Sequence, residues 1–165
     1  MSRAVLYKRS EELKQRYSLY GLFTAVFYLV TLLVGGVVYA SSNLPVYLSR
    51  NAAAASGYGD VIFLQSILVL ISFILLATSA LLIFLSRATT SRGEFASSFK
   101  LLYSAIVTAG IALGFSASAA APPASGIVGW PLYLYLALIA ASLAMTIFAI
   151  TILRGVTSYY APRRK

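Results

Sequence analysis

Chemistry in a protein needs groups that ionise, ligate or attack, and this chain is short of them. It contains no Cys and no His. Thiol nucleophiles, disulfides, Cys-ligated clusters, bis-His haem, copper sites, most zinc sites and imidazole acid–base catalysis are therefore excluded. The acids are Glu11, Glu12, Asp60 and Glu94. All four fall outside the long apolar stretches, where intramembrane catalysis or proton-coupled transport would need them. No catalytic residue, metal site or cofactor is expected, and the chain reads as a non-enzyme. Asp60 with Arg50 and Tyr58 forms a small polar constellation for which a helix cap in a solvated loop is sufficient reason.

Two polar patterns remain. Gln65, Ser72, Ser79 and Ser86 recur every seven residues, which puts all four side chains on one helix face. That face is expected to look away from lipid, as an interhelical hydrogen-bond seam or as the wall of a narrow polar path. The second pattern is Gly57, Tyr58, Gly59 and Asp60, which resembles the core of the potassium-channel selectivity filter, TVGYGD. The resemblance implies a loop whose carbonyl oxygens replace a cation's hydration shell. Ala55 and Ser56 stand where that family has Thr and Val, and Asp60 leads straight into an apolar stretch. A Gly-rich turn before a capping Asp accounts for the same four residues.

The elements that must carry these residues follow from composition. Of 165 residues 60% are hydrophobic and 10% charged, against roughly 25% charged in soluble domains. Four uncharged stretches, about 19–40, 61–85, 101–121 and 132–153, each reach the length of about 20 apolar residues that crosses a bilayer. Backbone polar groups in lipid must be satisfied within the segment, so each should be a helix. The expected fold is all-α: a single polytopic membrane domain, four transmembrane helices in a bundle. Pro45 follows the first stretch, Pro122 and Pro123 stop the third, and Pro131 sits at the first helical position of the fourth. Val38, Tyr39 and Ala40 before Ser41 have the look of a signal cleavage site, but the apolar run is longer than a signal core.

Charge sets the expected orientation. Arg3, Lys8, Arg9, Lys14 and Arg16 precede the first stretch, Arg87, Arg92 and Lys100 lie between the second and third, and Arg154, Arg163, Arg164 and Lys165 follow the fourth. The other two connections hold only Arg50. The positive-inside rule then sets both termini, the basic segment 1–17 and the tail 154–165, on the cytoplasmic side of a cell membrane. The net charge of +9 is read as attraction to anionic lipid, with Arg87, Arg92, Arg154, Arg163, Arg164 and Lys165 as contacts, and not as nucleic-acid binding. Segment 10–17 should extend the first helix or lie on the surface. Tyr17, Tyr20, Tyr103, Tyr159 and Tyr160 are expected in one interfacial belt, and Tyr39, Trp130 and Tyr133 in the other.

Small residues complete the pattern. Gly110 and Gly114 form a GxxxG extended by Ser118, and Ala137, Ala140, Ala141 and Ala144 make a second smooth face. Such faces let helix backbones approach closely, and a neighbour within the chain is expected ahead of one outside it. Gly35 and Gly36 add to the provision for close contact. Negative chemistry and packing faces together suggest a non-catalytic membrane subunit or scaffold, with lipids and other membrane subunits or further copies of itself as partners. The alternative is a homo-oligomeric channel or facilitator lined by the polar face of the second helix, and a lipid-binding or membrane-shaping role is a third reading.

Overall fold

The computed structural model describes residues 3–42, 59–120 and 130–160, with side chains over 10–37, 67–118 and 133–158 and at Lys8 and Leu64. Four helices account for almost all of it: α1 (Arg3–Ser42), α2 (Gly59–Ser91), α3 (Phe95–Ala120) and α4 (Trp130–Tyr160). Each contains a stretch long and apolar enough to cross a membrane: Ser10–Val37, Ile67–Ser91, Phe95–Ser118 and Tyr133–Ser158. α1 packs on α2, α2 on α3, α3 on α4 and α4 back on α1, which closes a ring of antiparallel neighbours.

The helices run past the sequence-based limits. α2 reaches Ser91 and α3 begins at Phe95, so the middle connection is only Arg92, Gly93 and Glu94. Arg87 and Lys100 are helical residues, not loop residues. Segment 10–17 continues α1 without a break. Lipid demands a helix, but water does not forbid one. The helix continues until something terminates it.

At the α2–α3 corner the terminator is Gly93, whose φ of 82° is the left-handed conformation that glycine adopts without steric penalty. Gly93 N donates to Thr90 O at 3.0 Å and Glu94 N to Thr89 O at 3.0 Å, the paired 5→2 and 6→1 bonds of a Schellman motif. Ser98 N donates to Glu94 O at 3.1 Å, so α3 starts where the motif ends.

A seven-residue spacing orders the core on all four helices. Buried positions are Ser10, Tyr17, Thr24 and Thr31 with Gly21, Tyr28 and Gly35 on α1, and Val69, Leu76, Ile83 and Thr90 with Ser72, Ser79 and Ser86 on α2. They continue with Ser98, Ala105 and Ala112 beside Leu102, Ala109 and Ser116 on α3, and Tyr135, Ser142, Ala149 and Val156 beside Ile139, Thr146 and Leu153 on α4. Two interleaved seven-residue rows per helix are the signature of left-handed, coiled-coil-like packing.

Apolarity does not separate inside from outside as it does in a water-soluble bundle: Leu76, Ile83, Leu102, Ile139 and Leu153 share the core with hydroxyls. The buried polar side chains described are all Ser or Thr. Phe23, Leu33 and Val37 on α1 are each about two-thirds exposed (66%, 66% and 68%), as are Leu70, Ile74, Val107, Ile147 and Phe148 by more than half. A bundle that hides hydroxyls and shows Leu, Ile and Phe suits a surrounding of hydrocarbon.

Candidate functional site

The buried hydroxyls form a column through the bundle. At the end carrying the α2–α3 corner, the basic end, Ser86 Oγ donates to Ser98 O at 3.0 Å and Ser98 Oγ to Ser86 O at 3.0 Å. The Tyr17 phenol lies 2.7 Å from Ser86 Oγ. Because the one Ser86 proton is on Ser98 O, Tyr17 is the donor of that bond. Thr89 and Thr90 close on Ser98 Oγ at 2.6 and 2.7 Å.

Midway, Ser79 Oγ shares a 2.6 Å bond with Thr108 Oγ1 and Tyr28 OH lies 3.0 Å from Thr146 Oγ1. Thr146 donates to Ser142 O at 2.9 Å, so Tyr28 donates across from α1 to α4. Further along, Thr31 Oγ1 and Ser142 Oγ sit 3.2 Å apart. Near the far end Tyr135 reaches across the bundle from α4 to Ser72 on α2, 3.1 Å away, while Ser72 Oγ donates to Val69 O at 2.7 Å.

Gly35 makes room for that Tyr135. A Cβ there would meet Tyr135 Cδ2 at 2.8 Å and Phe73 Cε1 at 2.9 Å, whereas Gly36 faces open space. Phe73 and Tyr135 pack edge to face at 5.8 Å.

Ser72, Ser79 and Ser86 thus share one bonded seam: Ser72 and Ser79 donate to carbonyls of their own helix, Val69 O and Leu75 O, and meet Tyr135 and Thr108 of the neighbouring ones, while Ser86 donates to Ser98 O of α3. The Gln65 side chain lies outside the described residues, as do Gly57 and Tyr58. Gly59 and Asp60 open α2, with their side chains likewise outside the described set.

Gly110, Gly114 and Ser118 are exposed, and no atom lies within 4 Å of a Cβ added at either glycine. Ala137, Ala140, Ala141 and Ala144 are exposed too. Among the described residues the expected in-chain neighbour is absent: α3 turns a different small face inward, Ala105, Ala109 and Ala112. Tyr17 also departs from expectation: it is fully buried on the seam, not in an interfacial belt. Tyr103 and Tyr133 are exposed, and Tyr20 stacks edge to face on Phe148 at 5.2 Å. The side chains of Tyr39, Trp130, Tyr159 and Tyr160 are outside the described residues.

The seam partners Tyr17, Tyr28, Thr31, Tyr135, Ser142 and Thr146 were not picked out from sequence. The signal was available: Tyr17, Thr24 and Thr31, and Tyr135 and Ser142, repeat at the same seven-residue interval that singles out Ser72, Ser79 and Ser86.

The basic end carries a second feature, a cleft of about 640 Å³ between α1 and α2. Tyr17 and Thr90 line its buried floor, Ser18 and Ser91 its polar wall, and Lys8, Glu11, Glu12, Lys14 and Arg87 supply charge. Lys14 pairs with Glu11 at 3.0 Å. Arg87 Nε donates to Ser18 Oγ at 2.7 Å; on the second hairpin Arg154 Nη2 donates in the same manner to Tyr103 OH at 2.9 Å. Arg92 is exposed, and Arg163, Arg164 and Lys165 lie outside the described residues. Set against protein-family models, curated proteins and solved structures, the chain matches none of them, so its function is argued from these residues alone.

Proposed function

We propose that the chain is a non-catalytic membrane subunit or scaffold, inserted in a cell membrane with both termini and the α2–α3 corner on the cytoplasmic side. The observation that carries this reading is the outward direction of its small-residue faces. Gly110, Gly114 and Ser118 on α3, and Ala137, Ala141 and Ala144 on α4, are exposed, with no other helix against the two glycines among the described residues. In lipid, helix association relies on close van der Waals contact, and faces of this type provide it. The occupant is a transmembrane helix of another subunit or of a second copy.

A facilitator lined by the second helix has less support. Within one chain Ser72, Ser79 and Ser86 spend their hydrogen-bonding capacity on carbonyls of their own helix and on groups of the neighbouring ones, which leaves little for a permeant species.

Mild-detergent extraction followed by native mass spectrometry tests the proposal. Stable association lost on Gly110→Leu, with the helical content retained, is the expected result. A monomer with no reproducible partner, or ion flux in liposomes abolished by Gln65→Leu, would overturn it.

A further inference from the structure

We infer that the cleft between α1 and α2 at the basic end binds the phosphodiester of a glycerophospholipid, with the Arg87 guanidinium as anchor. Arg87 is half-buried, and its Nε is tied to Ser18 Oγ at 2.7 Å. That bond fixes the plane of the guanidinium. The terminal nitrogens carry no hydrogen bond and no carboxylate partner among the described residues. A charge partly removed from water without a counter-ion is costly. The planar fork it presents matches the oxygens of a phosphate.

The surroundings suit the same ligand. Gly21 packs beside the Arg87 stem, where an added Cβ would come into ordinary contact with Arg87 Cβ at 3.9 Å. Lys8 lines the cleft as a further cation, and the Gln15 amide brings a donor. Glu12, also in the lining, opposes additional negative charge, which favours a singly charged phosphodiester over a phosphomonoester. On the side away from the chain ends, Leu22 and Phe84 are exposed apolar side chains one turn from Ser18 and Arg87, where acyl chains would run. The cleft lies where the apolar stretches Ser10–Val37 and Ile67–Ser91 terminate, the level at which headgroups sit. This inference rests on the membrane reading above.

The test is a titration of the purified full-length protein in detergent with phosphatidylglycerol and, separately, with inorganic phosphate, read by native mass spectrometry. One lipid should bind, and Arg87→Gln should weaken it about tenfold, the usual scale of a lost charge-assisted bond. Arg92→Gln, outside the cleft, should leave it unchanged. Ser18→Ala keeps the charge but releases Nε and should weaken binding by a smaller factor; it decides the matter if Arg87→Gln does not fold. Equal lipid binding by the wild type and the Arg87 and Ser18 variants would overturn the site. Displacement of the lipid by inorganic phosphate at matching concentration would overturn the lipid and leave a soluble anion. Carbonate extraction separates this from failure of the membrane reading. A protein that stays with the membrane yet binds no lipid at Arg87 refutes the site alone, and one released into the aqueous phase refutes both.

Discussion

A hydroxyl has one proton to donate, and that limit decides how the buried polar residues divide their roles. Ser72 and Ser86 give their protons to backbone carbonyls, Val69 O and Ser98 O, so Tyr135 and Tyr17 must donate to them. The two ends of each bond are then unequal. Removing the phenol in Tyr135→Phe leaves an acceptor with its own proton satisfied and should cost about 0.6 kcal/mol, the average for an interhelical bond in a membrane. Removing the acceptor in Ser72→Ala leaves the buried phenol only Ser116 to turn to and should cost more, about 1–3 kcal/mol. Unfolding in mixed micelles measures both, and equal losses would refute the assigned direction. Gly35 and Gly36 offer a paired test. Gly35→Ala drives a methyl into the Tyr135 ring and should destabilise by about 1–3 kcal/mol, as overpacking does. Gly36→Ala meets open space and should leave the thermal midpoint nearly unchanged.

At the scale of the element, the α2–α3 corner depends on one backbone conformation. Gly93→Ala keeps the open space around the residue but forces a side chain into positive φ, a cost of about 1–2 kcal/mol that should appear as a lowered thermal midpoint with unchanged helical content. The existence of four helices was legible because charge is absent from each apolar run; their ends were not. Arg87 and Lys100 read as loop residues if charge marks the end of a helix, yet a helix continues past the end of its apolar run until a terminator such as Gly93. Helix rotation was also only half legible. The seven-residue row through Ser72, Ser79 and Ser86 was visible from polarity, and the bonds they make are those of a seam. The preference of its residue type points Tyr17 to a belt, although its spacing to Thr24 and Thr31 sets it in the core. The GxxxG of α3 was ambiguous in principle. Spacing shows that a face is smooth but not which way it turns, and the competing face of Ala105, Ala109 and Ala112 took the interior.

For the whole molecule, the central claim is that this bundle keeps hydroxyls among the apolar residues of its core and turns Leu, Ile, Val and Phe outward, because its solvent is lipid. Burying Ser and Thr in a water-soluble core would sacrifice the hydrophobic contribution that folds such a bundle. In a bilayer the exterior provides no such drive, and shape, small residues and modest hydrogen bonds hold the helices together. The same claim gives the outward α3 and α4 faces something to bind and puts the Arg87 cleft at headgroup depth. Because the chain has no native Cys, labelling of single introduced cysteines with a membrane-impermeant maleimide in intact cells tests it most directly. Ser49→Cys and Ser125→Cys, in the two connections poor in positive charge, should label without permeabilisation. Ser2→Cys, Ser91→Cys and Ser158→Cys should label only after it. Labelling of Ser2 and Ser158 variants from opposite sides, or of all five positions in a fraction that needs no detergent, would contradict the account.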